Sequence, residues 1–198
     1  MKTRLACALL LVSLVAAGCA RPPAAEIDAA SAAMDAAQAA EAPTYAPDAW
    51  AQAQDTESQL ETELAAQEQA FALSRSYAKT QSLAEALKDA ADRAAADAVR
   101  GKEIAHSDAT QALDEAKALQ LEVQTLLEHA PQGKGTQADL AALRADTGTT
   151  EETLAAAEAA LQAGQYMEAR AKAEAAIQSL NQVKAELEAA RQARGGRA

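Results

Sequence analysis

Residues 77–98 read YAKTQSLAEALKDAADRAAADA, and this stretch decides the fold class of the chain. Within it, small or apolar residues recur at spacings of three and four, which is the period of one face of an α-helix. The residues on this face are Thr80, Ala84, Leu87, Ala91, Ala94 and Ala98. Alanine, the best helix former, accounts for 59 of the 198 residues, whereas aromatic residues make up 3%. The sequence therefore predicts an all-α protein.

The same period continues on both sides of this stretch. Before it, the face is formed by Trp50, Ala53, Glu57, Leu60, Leu64, Gln67 and Phe71. After it, the face is formed by Ala109, Ala112, Ala116, Leu119, Val123, Leu126 and Ala130. If the helix continues through Gly101, residues 76–130 form one helix of roughly 80 Å. We expect an elongated antiparallel helical bundle, or coiled-coil hairpins, with a long central helix.

Proline and glycine predict where the remaining helices begin and end. A first helix is expected from about Ala24 to a point before Pro43, and a second from Pro47. Ser74 to Ser76 is the predicted turn before the long helix. A short segment, 137–145, should lead to a break at residues 146–148 and then to a fifth helix that starts at a capping box, Thr149 to Glu152. That helix should stop at Gly164, and a sixth, from Tyr166, should fray from residue 191.

The start of the chain predicts secretion and lipidation. Lys2 and Arg4 precede an apolar run of about eleven residues, typical of a signal peptide and too short to span a bilayer. Residues 15–19, Val-Ala-Ala-Gly-Cys, then resemble the lipobox of bacterial lipoproteins. The resemblance implies cleavage after Gly18 and lipidation of Cys19, with three acyl chains giving stable anchoring. The alternative is an ordinary signal peptide that leaves Cys19 as a free thiol.

These observations divide the chain into five parts. They are a signal peptide (1–18), a lipidated tether (19–23), an N-terminal three-helix bundle (24–100), C-terminal helical hairpins (101–194) and a disordered tail (195–198). Loss of Lys2 and Arg4 with the signal peptide would change the net charge from −11 to −13. An acidic surface of this kind argues against nucleic acid and against anionic lipid surfaces as partners.

Two resemblances to known families follow from the helical segments. Tyr45-Ala46-Pro47, the alanine-rich helix after it and the Tyr77 to Ala91 segment resemble a bacterial envelope lipoprotein family of unknown function. This resemblance implies an envelope protein with no assigned activity. Residues 164–169, Gly-Gln-Tyr-Met-Glu-Ala, resemble the turn and second helix of a tetratricopeptide repeat, although no full 34-residue period is present.

Few side chains are candidates for a functional site. The sequence predicts no catalytic residue, no cofactor and no metal site, since His106 and His129 lack ligands at suitable spacing. Tyr45 and Trp50 lie close together at a helix start and are candidates for an aromatic anchor that binds a partner. The alternative is that both pack inside the first bundle.

Three hypotheses about function follow, and none of them is enzymatic. The first is a spacer or adaptor on the periplasmic face of the outer membrane, since Ala20 rather than Asp follows the cysteine. The second is a tetratricopeptide-like module that binds a peptide or protein partner through Arg170, Lys172 or Lys184. Attachment to the cell wall is the third and weakest. Envelope proteins are the expected partners, and self-association through exposed helix faces remains open.

Overall fold

The computed structural model describes residues 21–130 and 137–195, and every regular element in these ranges is helical. The elements are α1 (Ala24–Ala39), α2 (Ala42–Tyr45), α3 (Pro47–Gln69), a 3-10 turn (Ala72–Ser74), α4 (Ala78–Glu128), α5 (Gln137–Gln162) and α6 (Tyr166–Gly195). The all-α fold and its long central helix, α4, are therefore confirmed. The chain forms two compact units that divide between Arg100 and Gly101.

The core of the N-terminal unit consists mainly of alanine. α1, α3 and the first half of α4 meet there, and the face predicted from residues 80–98 is buried throughout. Its large buried apolar side chains are Met34, Leu60 and Leu87, with 7%, 4% and 2% exposure. Because alanine side chains are short, the helix axes can approach closely, so a small number of large side chains suffices to fill the space between them.

The connection between α1 and α3 contains a one-turn helix, α2, that the sequence did not predict. Pro43 ends α1, because its ring would clash with a helical carbonyl four residues earlier. Glu41 takes the left-handed conformation, with φ 62°, and reverses the chain. α3 then starts at Pro47, as predicted, after the non-helical Ala46.

The α3–α4 turn (residues 70–77) corrects one prediction. Phe71 was assigned to the buried face of the helix before it, but α3 ends at Gln69 and Phe71 is 73% exposed. The predicted turn at Ser74 to Ser76 is confirmed, since no α-helix covers these residues. The guanidinium of Arg75 donates to the carbonyls of Ala70 and Glu68, at 3.1 and 2.9 Å, and so satisfies acceptors at the end of α3.

α4 passes through Gly101 without a break, as the longer of the two sequence alternatives required. Its second half packs with α5 and α6 in the C-terminal unit. Apolar side chains are larger toward the end of α4, where Val123 and Leu127 meet Leu140 of α5 and Leu180 of α6. At the start of this unit, Ala109, Ala160 and Ala169 are buried instead.

The predicted start of a fifth helix at Thr149 is wrong. α5 is one helix from Gln137 to Gln162, so residues 146–148 form no break and the separate short segment does not exist. Instead of capping a helix, the Thr149 hydroxyl donates to the carbonyl of Ala145, and Thr150 donates to Asp146. Gly148 is tolerated within the helix because glycine costs only about 1 kcal/mol there and packing on α6 outweighs it.

Gly164 ends α5, as predicted. Its φ of +77° is left-handed, its N–H donates to the Leu161 carbonyl, and the Gln165 N–H donates to the Ala160 carbonyl. This pair of hydrogen bonds is a Schellman motif. α6 starts at Tyr166, as predicted, and its helix continues to Gly195. The fraying expected from residue 191 stays a prediction. The rest of the predicted tail, 196–198, lies outside the described residues.

Candidate functional site

The lipidation site predicted at Cys19, with cleavage after Gly18, lies outside the described residues. The described part of the chain begins at Arg21, three residues before α1. Among the residues described, no helix combines the length and the apolar character that crossing a bilayer requires. The anchor at Cys19 stays a prediction of the sequence.

The structure brings Tyr45 and Trp50 to the two sides of the α2–α3 junction. Tyr45 is the last residue of α2, and the Trp50 N–H donates to the carbonyl of Ala46, which separates the two helices. Both side chains are half-buried and pack against the N-terminal core. This arrangement is the one expected for packing residues. Their role as an aromatic anchor for a partner stays a prediction.

The two histidines lie in different surroundings. The His106 ring meets the Tyr166 ring edge to face, with centroids 4.8 Å apart, and so joins α4 to the start of α6. The His129 Nδ1 lies 2.7 Å from the carbonyl oxygen of Thr125. Within residues 21–130 and 137–195, no three His, Cys, Asp or Glu residues form a group that could hold a metal ion.

The three cations proposed for a peptide groove are instead used within the C-terminal unit. Arg170 binds Asp108 of α4 at 2.9 Å and Glu174 at 2.7 Å, and Lys172 pairs with Glu168. Lys184 lies 2.7 Å from Glu122 of α4. The hydrogen bond from Arg170 to Glu174 raises the pKa of Arg170, and the bond from Lys184 to Glu122 raises the pKa of Lys184.

A polar cleft of about 330 Å³ separates part of α5 from α6. Most of its lining residues carry hydroxyl, amide or carboxylate groups, among them Asp146, Thr149, Thr153, Ser179, Gln182 and Glu186, and the others are Ala175, Ala176 and Val183 besides Thr150. The hydroxyls of Thr149, Thr150 and Thr153 donate to carbonyls of the preceding helical turn, which leaves their oxygens as acceptors. The cleft therefore presents mainly acceptors, which suits a ligand rich in donors.

The α3–α4 turn exposes two large apolar side chains that sequence reasoning did not assign to a site. Phe71 and Leu73 are 73% and 79% exposed, the two highest values among the large apolar residues described as exposed. A signal for this surface was present, because residues 69–84 contain no Asp or Glu in an otherwise acidic chain. The heptad pattern obscured this signal, because it assigned Phe71 to the buried face of the preceding helix.

A hydrogen-bond network holds the backbone beneath these two side chains. The Ser74 hydroxyl donates to the Phe71 carbonyl at 2.8 Å, and the Ser76 N–H donates to Gln67 Oε1 at 3.0 Å. The Gln67 amide in turn donates to Glu63, which also accepts from Lys79 at 2.7 Å. The turn is thus tied to the ends of both helices that it joins.

Comparisons with known proteins found no relative of this chain. No protein-family model, curated protein or solved structure matches the chain.

Proposed function

We propose that this chain is a lipid-anchored protein on the periplasmic face of a bacterial outer membrane, where it acts as a spacer or adaptor for other envelope components. The observation that carries the proposal is the Ala16-Ala17-Gly18-Cys19 sequence directly after a short apolar run. Lipidation at that position would tether the N-terminal unit through the few residues that precede α1.

The adaptor role is supported by apolar side chains that the C-terminal unit leaves in solvent. Ile104 and Leu121 of α4 and Met167 of α6 are 53–66% exposed. A partner that covered these side chains would remove apolar area from water. Cross-linking in intact cells, followed by mass spectrometry, identifies the partner. A protein recovered with wild type but not with Leu121→Ser and Met167→Ser variants supports the adaptor role.

Metabolic labelling with a palmitate analogue tests the anchor. Wild type should incorporate label and fractionate with the outer membrane, whereas Cys19→Ala should stay unlabelled and leave the membrane fraction. Label on a Cys19→Ala chain, or wild type released unacylated into the medium, would contradict the proposal. The experiment is independent of whatever partner the protein binds.

The α5–α6 cleft supports a second candidate, a module that binds a polar peptide. It is not a standard tetratricopeptide groove, because α5 and α6 have 26 and 30 residues, whereas that repeat places two helices in 34. The acceptors of the cleft favour a lysine- and serine-rich segment. Fluorescence anisotropy with such a labelled peptide should show binding that an Asp146→Asn, Glu186→Gln variant weakens.

A further inference from the structure

The α3–α4 turn lies at the same end of the N-terminal unit as the start of α1. α1 and α3 share one core and are joined by only the seven residues 40–46, so they run antiparallel. From that connection α1 extends over 16 residues and α3 over 23. At 1.5 Å per residue these helices are about 24 and 34 Å long, so the turn projects about 10 Å beyond the start of α1.

The tether is long enough to bring Cys19 to the level of that turn. Cys19 precedes Ala24 by five residues, and a fully extended chain covers at most about 17 Å over that distance, slightly less here because the Ala24 N–H donates to the Pro22 carbonyl at 2.9 Å. This reach exceeds the projection of about 10 Å. A lipid attached at Cys19 and the side chains of Phe71 and Leu73 can therefore meet the same plane.

The charge around the turn is also compatible with a lipid surface. The mature chain has a strong excess of acid, but residues 69–84 carry no acid and include Arg75 and Lys79. Arg75 is held at the end of α3, and Lys79, whose side chain is 71% exposed, is paired with Glu63. Exposed apolar side chains with basic neighbours are typical of protein surfaces that enter the headgroup region of a bilayer.

We propose that the α3–α4 turn is a second membrane contact, which inserts Phe71 and Leu73 into the outer boundary of the bilayer to which Cys19 is anchored. The inference rests on the proposed function, because it takes Cys19 as the anchor. A single tether would let the N-terminal unit rotate above the membrane. A second contact at the turn holds this unit in one orientation.

Tryptophan quenching by brominated lipid tests the contact. The mature chain is coupled through Cys19 to a maleimide lipid in phosphatidylethanolamine and phosphatidylglycerol vesicles that contain brominated phosphatidylcholine. Phe71→Trp is the reporter, and Thr44→Trp, at an exposed position of the connection at the opposite end of the α1–α3 pair, is the matched control. Trp50 is present in both variants and lies near that opposite end, so it contributes the same background.

The Phe71→Trp variant should lose severalfold more of its added fluorescence to the brominated lipid than Thr44→Trp does, and Leu73→Ser should reduce this difference. Equal quenching of the two reporters would overturn the proposal. Because the coupling is chemical, that result would say nothing against lipidation of Cys19 in cells, which palmitate labelling tests separately. A dimer in solution that Phe71→Ser and Leu73→Ser dissociate would assign the turn to a second copy and likewise overturn the proposal.

Discussion

Lys79 Nζ lies 2.7 Å from Glu63 Oε2. The lysine side chain is 71% exposed, whereas the glutamate side chain is only 10% exposed. The hydrogen bond from Lys79, and then that from Gln67, lower the pKa of Glu63 below its ordinary value of 4.5. A carboxylate with a lowered pKa in the folded state stabilises the fold above its unfolded pKa. The contribution is lost as the pH falls through the folded value.

Replacing Lys79 with Met should therefore destabilise the N-terminal unit at neutral pH, because the carboxylate of Glu63 stays buried and keeps only Gln67. The difference in melting temperature from wild type should be largest at pH 7. It should shrink as the pH falls below the ordinary glutamate pKa of 4.5 and disappear once Glu63 is protonated in both proteins. Thermal unfolding followed by circular dichroism across this range measures it. Lys88→Met, which breaks an exposed pair on the same helix, is the control and should change the melting temperature less.

Thr80→Val should stabilise the protein by about 1 kcal/mol. The Thr80 side chain is fully buried, and its hydroxyl oxygen has no hydrogen-bond partner. Valine keeps the branched shape and removes the unsatisfied group. Urea unfolding gives the change in free energy of unfolding. Thr62→Val is the control, since Thr62 is exposed and donates to Ser58, and a gain there as large as at Thr80 would argue against this explanation.

Gly148→Ala should raise the free energy of unfolding by up to about 1 kcal/mol, because Gly148 is inside α5 and an added methyl group would meet open space. Gly164→Ala should lower it by about 1 kcal/mol, because φ there is +77°. Chemical unfolding of both variants checks the pair. If Gly148→Ala were as harmful as Gly164→Ala, a turn at residues 146–148 would be the better description.

Trp50→Ala should cost about 2 kcal/mol of stability, less than a fully buried aromatic residue, because Trp50 is half-buried against the N-terminal core. Unfolding measurements on the variant, combined with recovery of partners from cross-linked cells, separate the two roles. Lower stability with unchanged recovery supports packing. Normal stability with lost recovery would support the aromatic anchor.

The helix boundaries show which features can be predicted from local sequence alone. The starts at Pro47 and Tyr166 and the end at Gly164 were predictable because proline and a left-handed glycine act through the backbone of their own turn. The wrong prediction at Gly148 and Thr149 also came from relying on local preferences alone. Their local preference favours a break, but the buried Thr147 and Thr150 on either side fix the segment as helix by packing.

The candidate site was less predictable than the fold. Tyr45 and Trp50 were identified by type and proximity, but the sequence left open whether they pack inside or project into solvent, and the structure half-buries both. Arg170 and Lys184 were proposed for a groove because they are basic. The residues that bind them, Asp108 and Glu122, are about 60 positions away in the chain, so no local pattern could reveal the pairs.

The sequence by itself determined the helical class and the buried face of residues 80–98, because these follow from a period that repeats every turn of a helix. It left open whether the long central helix continues through Gly101, which the structure decided. Only the tertiary structure decided that Phe71 leaves this pattern and stands exposed beside Leu73 on the α3–α4 turn. The physical reason is that burial of a side chain requires an opposing helix. At Phe71 α3 has already ended. The heptad spacing of the sequence therefore continues beyond the last residue that can pack against a neighbouring helix.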